Sequence, residues 1–367
     1  MKVPFHGLSL AKGEILRRLP TYMGMEIGPS IATVLPVFNE ENFIESCLRS
    51  LLDQTIPHGD HMVLILDGGS TDGTLNVIER VVSGVDPATT PKVVVMNNPG
   101  RSVAHARNLA LNELPSSVEF MVEMIGHATV SPTHFEDRLN AWKQAEATDG
   151  TKLAGVGVRV HAATHELIRT ESWIESAISS PLGHRGGQFS RFTKPGLTQI
   201  PAFVMHRRSA IESVGGWDEA FLSSQDSELS MRLIKAGYSL RRDPSPEVFM
   251  AKRTTLKQWW RMSFRYGFWR TKVLMKHPKR RNFAEFLPLL GIALTGTLVA
   301  SGSSEWWLPG AAYLSTLCLT GLVQAFRQRR PSLMVGLPLC LAMLHTGFSL
   351  GLIGGLVRKP RAANDRS

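Results

Sequence analysis

Ile65-Leu-Asp-Gly-Gly-Ser-Thr-Asp-Gly-Thr74 is the stretch that decides the fold of this 367-residue chain. Apolar residues 63–65 lead into it and predict a short buried strand that ends on the carboxylate of Asp67. Gly69 and the glycine before it permit a tight turn, and a Ser-Thr-Asp run can cap the amphipathic helix predicted over residues 75–82. Ligands of open α/β sheets bind outside the carboxyl ends of the strands, where Asp67 lies. An ordinary βα turn is the alternative interpretation of the stretch taken alone.

A second apolar strand that runs into a polar turn precedes it, at Ile31-Ala-Thr-Val-Leu-Pro-Val-Phe-Asn-Glu-Glu41. A helix follows, whose predicted apolar face includes Phe43, Ile44 and Leu48. Together the two turns resemble the nucleotide-binding half of family 2 glycosyltransferases, which carry P-x-x-N-E and D-(D/G)-G-S-x-D-x-T in this order. The resemblance implies a GT-A domain, which is a Rossmann-like α/β fold of nucleotide-diphospho-sugar transferases. Such a domain has a mixed, largely parallel sheet with helices on both faces.

The resemblance also implies which residues of these two turns bind a sugar nucleotide. Asp67 would meet the uracil or the ribose, because a carboxylate there accepts hydrogen bonds from either group. Pro36, Phe38 and Glu40 would line the same cleft. Gly69 would let the ligand approach the backbone closely, since glycine has no Cβ.

A third strand is predicted at Lys92-Val-Val-Val-Met96, and a helix rich in small residues is predicted over residues 102–111. Family members have a related G-x-x-x-A-R-N-x-(G/A) helix beside the donor. By this resemblance Arg101 would contact a phosphate. Asn108 would belong to the nucleotide-sugar site, where it and Arg107 fix the neighbouring backbone. A surface salt bridge is the alternative role for Arg107.

The predicted strand Glu119-Phe-Met-Val-Glu-Met-Ile125 leads to the place where the family has its metal motif. The subgroup that makes bacterial exopolysaccharides such as succinoglycan usually shows D-x-H there, whereas this chain has Ile-Gly-His, ending at His127. Mg²⁺ and Mn²⁺ prefer oxygen ligands, although Mn²⁺ accepts imidazole. We expect His127 to bind the metal, or a phosphate oxygen directly, and Glu123 to supply the missing carboxylate. A purely structural histidine is the alternative.

A loop that carries glycine and arginine lies at Ser180-Pro-Leu-Gly-His-Arg-Gly-Gly-Gln-Phe-Ser-Arg191. It resembles the P-F-G-x-G-x-x-x-(Y/F)-R stretch of the same subgroup. Loops of this composition order over bound substrate, so Arg185 or Arg191 would contact a phosphate of the donor or the acceptor. A solvated loop is equally compatible with the sequence.

Asp226 is the residue predicted to act as the general base. Its surroundings, Gly215-Gly-Trp-Asp-Glu219 and the Gln-Asp-Ser-Glu run that begins at Gln225, resemble the family pattern G-(G/L)-(F/W)-D-E…E-D-x-E. An inverting displacement needs one base to take the proton of the acceptor hydroxyl, and Asp226 fits that role. Gln225 replaces the usual glutamate, and Glu228 is predicted to be structural. A helix N-terminus decorated with acids is the alternative.

The net charge of +10 divides unevenly along the chain. From Lys252 to the end there are 18 Lys and Arg against 3 Asp and Glu, whereas the preceding part has 23 basic and 28 acidic residues. The tail is therefore strongly basic. Nucleic acid is the usual partner of a basic tail, but long apolar runs follow the basic residues here. Anionic lipid is thus the predicted partner, and nucleic acid is not.

Residues 251–282 combine 11 basic residues and no acid with six aromatic rings. This composition predicts an in-plane interfacial helix, with rings at headgroup depth and charges on anionic lipid. A Gln-Trp-Trp-Arg-Met run echoes the family signature Q-x-x-R-W, so Gln258 and Arg261 would contact the acceptor or a phosphate in the cleft. Arg265 and Arg270 are further candidates for the diphosphate of a lipid-linked acceptor.

Three apolar runs follow. Residues 283–300 and 306–326 have spanning length, and the basic residues that flank them place both outer ends on the cytoplasmic side. In the third run, residues 333–357, five glycines and one proline favour a bent, re-entrant or interfacial arrangement over a full span. A buried pair of core helices is the alternative for all three runs.

The predicted organisation has five parts. Residues 1–29 form an N-terminal arm without the apolar core of a signal peptide, and residues 30–250 form the GT-A domain. The basic aromatic segment is 251–282, the transmembrane or re-entrant helices are 283–357, and a basic tail is 358–367. The three cysteines are too few and too scattered for a disulfide framework, which fits a reducing cytoplasm.

The resemblance implies an inverting enzyme that moves a hexose from a nucleotide sugar to a polyprenyl-diphosphate-linked saccharide in exopolysaccharide biosynthesis. UDP is the expected nucleotide of the donor. Mg²⁺ or Mn²⁺ is the implied cofactor, and other polysaccharide-assembly proteins are candidate partners. The expected location is the inner (cytoplasmic) membrane, with the catalytic domain on the cytoplasmic face. Ile125 and Gln225 suggest an alternative, a catalytically weak or inactive nucleotide-sugar-binding subunit of an assembly complex.

Overall fold

The structure, a computed structural model, describes residues 28–162, 167–183, 189–251 and 254–360. Its strands are β1 (Ile31–Val37), β2 (His61–Asp67), β3 (Lys92–Asn97), β4 (Phe120–Glu123), β5 (Ala128–Val130), β6 (Leu153–Ala162), β7 (Gly196–Leu197), β8 (Met205–Arg207) and β9 (Ser239–Met250). Its α-helices are α1 (Ile44–Leu52), α2 (Thr74–Ser83), α3 (Val103–Glu113), α4 (His134–Asp149), α5 (Arg169–Ser179), α6 (Arg208–Ser213), α7 (Gln225–Lys235), α8 (Leu256–Lys276), α9 (Leu287–Ala300), α10 (Leu308–Gln328) and α11 (Leu333–Val357).

One mixed sheet, in the order β3-β2-β1-β4-β8-β6-β9-β5, organises the catalytic part of the chain, and β7 pairs with β9. Strands β3, β2, β1 and β4 are parallel, whereas β8 runs antiparallel to β4 and β6. The chain moves outward from β1 to β3 and then returns to the other side of β1 at β4. This reversal is a topological switch point, where open α/β sheets bind their ligands. The α/β fold expected from the sequence is therefore confirmed.

Helices cover both faces of this sheet because β1 and β2 are apolar at nearly every position. Leu35 and Ile65 point to the face covered by α1, α2 and α4. Val34 and Leu64 point to the opposite face, which α3, α6 and α7 cover. Burial on both faces fixes the strand ends, and hence the turns that follow them, in one place.

Two features of the C-terminal helices bear on the sequence-based expectation. Trp259 and Trp269 of α8 are 1% and 5% exposed, so their rings pack against protein rather than lipid. Helix α11 is continuous from Leu333 to Val357 with Pro338 inside it, so the helix is not interrupted at that proline. Within the described ranges, three segments are long and apolar enough to cross a membrane: Phe283–Ala300, Leu308–Gln328 and Leu333–Val357.

Candidate active site

Two turns at the strand ends hold each other in place. The backbone N–H of Asn39 donates to Ser70 Oγ at 3.0 Å, and the side-chain oxygen of Asn39 accepts from the N–H of Thr71 at 2.8 Å. The N–H of Glu40 donates to Thr74 Oγ1 at 2.8 Å. The turn after β1 and the turn after β2 therefore form one rigid edge at the predicted nucleotide site.

Asp67 shapes this edge. Its carboxylate accepts hydrogen bonds from the backbone N–H groups of Gly69 and Ser70, at 3.0 and 3.1 Å, and from Ser70 Oγ at 2.6 Å. The side chain is largely buried, at 7% exposure. An ionised carboxylate has about four acceptor positions, so Asp67 can hold the turn and still accept a hydrogen bond from a ligand.

The other predicted nucleotide contacts lie around the same turn. Pro36 is part of β1, and Phe38, just beyond it, exposes 43% of its surface. Gly69 has a φ of 84°, a conformation that favours glycine, and a Cβ there would lie 3.5 Å from the guanidinium of Arg101. The structure thus brings Arg101 over the Asp67 turn, and its predicted contact with a phosphate stays a prediction.

Asn108 holds a neighbouring loop in place. Its side-chain NH₂ donates to the carbonyl of Trp217 at 2.8 Å and to Glu219 at 2.9 Å, while its oxygen accepts from the N–H of Trp217 at 2.8 Å. The amide is therefore occupied in holding the Gly-Gly-Trp-Asp-Glu loop. Its assignment as a nucleotide-sugar ligand is not supported by these contacts, whereas the expectation that it fixes neighbouring backbone is met.

A chain of charged side chains links β4 to the predicted base. Arg107, which is 4% exposed, donates a hydrogen bond to Asp226 Oδ1 and lies 3.2 Å from Glu123 Oε1. His206 Nε2 lies 3.3 Å from the same oxygen of Glu123. Arg107 is thus a buried bridge to the base and not a surface ion pair. No sequence pattern links these residues, because Arg107 and Asp226 are 119 positions apart.

The charges around Asp226 act on the pKa of its carboxyl group. Desolvation at the floor of the cleft raises the pKa of Asp226, and the neighbouring Arg107 opposes that shift. Desolvation by itself would raise the pKa of Glu123. Arg107 and His206 outweigh this effect and hold the pKa of that carboxyl below its usual range. The side chain of Asp226 remains 40% exposed, so it can reach a substrate. A raised carboxyl pKa moves a base closer to neutral pH, where proton transfer is more efficient.

Glu228 lies two residues beyond the base and faces a different environment. It is fully buried, at 0% exposure, and lies 2.7 Å from Arg232, 2.7 Å from Lys276 and 3.2 Å from His277. Desolvation alone would raise its pKa, but the hydrogen bonds from Arg232, Lys276 and His277 lower it to about 2. Glu228 therefore joins helix α7, which carries Asp226, to the end of α8. The structural role predicted for it agrees with these contacts.

The metal ligands expected from the sequence do not come together. Glu123 is taken by Arg107 and His206, whereas the Nδ1 atom of His127 lies 2.8 Å from Glu40 Oε1. Among the described residues, no three His, Cys, Asp or Glu side chains form a group that could hold a metal ion. One imidazole and one carboxylate fit poorly with Mg²⁺, which prefers an octahedral set of oxygens. The buried carboxylate of Glu123 is compensated by Arg107, which comes from another element, so these contacts do not support the predicted pairing of Glu123 with His127 at a metal.

A cavity of about 2160 Å³ extends from the base to the C-terminal helices. At the catalytic end it is lined by Glu123, His127 and Asp226, and at the other end by side chains such as Ile292 and Leu317. The described lining does not include Asp67 or the turn that follows it. The Glu40–His127 pair connects the turn after β1 to the cavity, and Glu40 is in turn hydrogen-bonded to Thr74 at the end of the Asp67 turn.

The predicted acceptor and phosphate contacts are distributed around this cavity. Arg191 is exposed and lines it, whereas Arg185 lies outside the described residues. Gln258 lines it too, and its side-chain oxygen accepts from the N–H of Thr255 at 3.4 Å in the capping box of α8. Arg261 is exposed and is not among the lining residues in the described part of the chain. Arg265 and Arg270 line it.

A switch-point cleft on a mixed sheet, with a partly exposed carboxylate at the start of a helix, agrees with the GT-A fold expected from the sequence. The family model described as "Glycosyl transferase family group 2" matches residues 129–353, and "Glycosyl transferase family 2" matches residues 33–215. The chain belongs to glycosyltransferase family 2 and is an enzyme of that family.

Individual relatives agree with this family. The succinoglycan biosynthesis protein ExoA of Rhizobium meliloti is 27% identical over 300 residues, which are 81% of this chain and 86% of ExoA. A Methanococcus voltae enzyme, dolichyl N-acetyl-alpha-D-glucosaminyl phosphate 3-beta-D-2,3-diacetamido-2,3-dideoxy-beta-D-glucuronosyltransferase, is 25% identical over 89% of this chain and 97% of its own. The structure of mannosyltransferase PcManGT from Pyrobaculum calidifontis, in complex with GDP-Man and Mn²⁺, has a TM-score of 0.60 at 18% identity and covers 95% of this chain and 92% of that chain. That likeness concerns the fold.

Proposed function

We propose that this enzyme transfers a hexose, with inversion, from a UDP-sugar to a polyprenyl-diphosphate-linked saccharide, and that the product enters an exopolysaccharide. The observation that carries the proposal is the position of Asp226. Its carboxylate opens onto a cavity that continues from the catalytic cleft to the apolar C-terminal helices. A lipid-linked acceptor needs such a route, because its sugar must reach the base while its chain stays in lipid.

The proposed chemistry is a single displacement. The acceptor hydroxyl attacks the anomeric carbon as the bond from that carbon to the diphosphate oxygen breaks. Asp226 takes the hydroxyl proton, and the nucleoside diphosphate leaves with the electron pair of the broken bond. Arg107 donates to the Oδ1 atom of Asp226 and holds the carboxylate in place, so that Oδ2 can face the acceptor.

The donor would lie across the turn after β2. Asp67 is proposed to accept a hydrogen bond from the base or the ribose, and Phe38 presents an exposed ring beside it. Arg101, which lies over Gly69, is proposed to contact a phosphate. His127 is held by Glu40 at the rim of the cavity and is proposed to stabilise the leaving diphosphate directly. No step is assigned to a metal, because the described side chains do not form a site that fits one.

A lipid-linked acceptor is supported by the apolar part of the cavity lining and by the names of two relatives. Apolar residues of α9 and α10 line the cavity, and so do Arg265 and Arg270 of α8, which are proposed to meet the diphosphate of the acceptor. Dolichyl phosphate appears in the name of the Methanococcus voltae relative, and succinoglycan in that of ExoA. We place the protein in the cytoplasmic membrane with its catalytic domain on the cytoplasmic face, since basic residues flank the candidate spans.

A second candidate function is a nucleotide-sugar-binding subunit with little or no turnover. It is favoured by Ile125, which stands where the subgroup has a metal-binding Asp, and by Gln225, which stands where the family has Glu. Both residues line the cavity beside the base.

One assay separates the two candidates. The full chain in lipid is supplied with UDP-sugars and polyprenyl-diphosphate saccharides, with and without Mn²⁺, and transfer is measured beside nucleotide-induced thermal stabilisation. Transfer that is lost in Asp226→Asn supports the enzyme. Stabilisation by UDP-sugars without transfer to any acceptor supports the subunit.

A further inference from the structure

Two apolar helices, α10 and α11, turn polar side chains toward the cavity. Tyr313 and Thr316 of α10 belong to its lining, and so do His345 and Ser349 of α11. These four residues form what we call the polar patch. His345 is the one basic or acidic side chain of α11. Because polar groups on helices of such apolar character are costly in lipid, the polar patch is a candidate binding site.

Ser349 is the most buried member of the polar patch. The residue is 2% exposed, and its Oγ atom has no hydrogen-bond partner among the described residues. A helical serine or threonine can satisfy its hydroxyl by donating to the carbonyl oxygen one turn earlier, as Thr316 does with Ala312 at 2.8 Å. A buried hydroxyl without a partner is unfavourable, because it has lost its hydrogen bonds to water. A ligand in the cavity can supply the missing partner.

The hydroxyl of Tyr313 is oriented by a histidine. His345 Nε2 lies 2.9 Å from the carbonyl oxygen of Leu182, and His345 Nδ1 lies 2.9 Å from Tyr313 Oη. A carbonyl oxygen can only accept, so Nε2 carries the proton and, in the neutral imidazole, Nδ1 accepts from the hydroxyl of Tyr313. The lone pairs of Tyr313 Oη are then left for a donor in the cavity. The polar patch thus offers a hydroxyl group at Ser349 and a hydrogen-bond acceptor at Tyr313.

The polar patch lies next to the turn of α8 that carries Arg265. Ser349 stands between Gly347 and Gly351 of α11, and these two glycines pack against residues 263 and 264 of α8. Arg265 lines the same cavity and is proposed to meet the diphosphate of the acceptor. The sugar that is joined to that diphosphate is therefore expected beside the polar patch.

We propose that the polar patch binds the sugar joined directly to the acceptor diphosphate, through hydrogen bonds of its hydroxyl groups to Ser349 and Tyr313. A sugar hydroxyl both donates and accepts, which fits a site with a hydroxyl group and an acceptor oxygen. A phosphate oxygen only accepts and would meet the lone pairs of Tyr313, so the polar patch is unsuited to the diphosphate itself. This subsite rests on the proposed lipid-linked acceptor and makes the first sugar of that acceptor a determinant of specificity.

Binding to the full chain in detergent micelles tests the subsite without turnover. A fluorescent polyprenyl diphosphate is displaced by polyprenyl diphosphate alone, or by the same lipid carrying glucose, galactose or mannose. We expect at least one hexosyl lipid to bind the wild type more tightly than the sugar-free lipid does. Ser349→Ala and Tyr313→Phe should each weaken the binding of that hexosyl lipid by about fivefold, the contribution of one hydrogen bond, and leave the sugar-free lipid unaffected.

Ser315→Ala is the matched control, because Ser315 is exposed on α10 and is not among the described residues that line the cavity. It should bind every lipid as the wild type does. Equal affinity of the wild type for the sugar-free lipid and for all three hexosyl lipids would overturn the subsite. Variants that weaken all the lipids alike would overturn it too, since the polar patch would then support the helices or the diphosphate.

Transfer assays separate this subsite from the proposed function. With UDP-sugars as donors, Ser349→Ala and Tyr313→Phe should raise the KM for the lipid acceptor and leave the KM for the donor unchanged. Transfer by the wild type with an unchanged acceptor KM in both variants contradicts the subsite. Absence of transfer by the wild type to any lipid-linked saccharide contradicts the proposed function, whereas the displacement assay still decides the subsite.

Discussion

The guanidinium of Arg107 is shared by two carboxylates: its Nη1 atom donates to Asp226 and lies 3.2 Å from Glu123. One side chain of α3 therefore connects the end of β4 to the start of α7. Since the group is buried, removing any of the three charges leaves the others uncompensated.

Replacing Asp226 by Asn removes the proposed base but keeps the shape of the side chain. We expect kcat to fall by roughly 10²–10⁴-fold, the usual contribution of general base catalysis, while nucleotide binding is retained. Transfer assays and thermal shift with UDP measure the two quantities. Glu212→Gln, which breaks an exposed pair with Arg208, is the matched control and should behave as wild type. Unchanged turnover in Asp226→Asn would remove Asp226 from the mechanism.

Replacing Arg107 by Met should change the pH profile of the enzyme as well as its rate. Arg107 opposes the upward shift in the pKa of Asp226, so its loss should raise that pKa further. The acid limb of kcat/KM is then expected to move to higher pH, and Arg107→Lys, which keeps the charge, should partly restore it. If Arg107 only supports the fold, activity falls but the acid limb stays where it is in wild type.

Glu228→Gln should destabilise the protein in a pH-dependent way. The folded carboxyl has a pKa of about 2, below its ordinary value of 4.5, so the stabilisation is present above pH 4.5 and is lost as pH falls through this interval. Breaking a buried charge cluster of this kind costs about 3 kcal/mol. The difference in Tm between variant and wild type should be largest at neutral pH and should shrink toward about pH 2. A difference independent of pH would mean that packing, and not charge, is responsible.

Asp67→Asn tests the nucleotide site. We expect the Kd for UDP to rise about tenfold, which corresponds to about 1.4 kcal/mol, because the proposed hydrogen bond to the ligand and the order of the turn both weaken. Isothermal titration on the purified protein measures this change. Asp86→Asn alters a carboxylate that caps a distant loop through Ala88 and serves as the control. Equal affinities in the two variants would place the nucleotide elsewhere.

Ile125→Asp restores the D-x-H pattern of the subgroup beside His127. The described residues form no group of three side chains that could hold a divalent cation, and the new carboxylate would add an oxygen ligand. We therefore expect Mn²⁺ to stimulate the variant more than the wild type. Activity is measured as a function of Mn²⁺ concentration, with Ile125→Asn as the uncharged control. An identical Mn²⁺ response in wild type and Ile125→Asp would show that this position does not face the leaving group.

The family assignment and the strand–turn–helix units of the catalytic domain could be predicted from the sequence because their signals are local. The apolar run that becomes β2, the glycines of its turn and the first turn of α2 are contiguous, and each residue type has few conformational alternatives. The placement of Asp226 near the start of a helix follows from the same kind of pattern. Strand β9 and helix α4 were not predicted, since β9 contains two prolines and the amphipathic pattern of α4 is weak.

What the sequence determined by itself was the class of enzyme, the β1 and β2 turns and the basic, apolar character of the C-terminal part. The tertiary structure alone decided which buried polar groups meet: Glu123 joins Arg107 and His206, and Asn108 holds the loop of Trp217. It also decided that α11 lies along α8. The physical reason is that a turn is stabilised by neighbours in the chain, whereas a buried charge or a glycine face is stabilised by whatever distant element the fold brings to it.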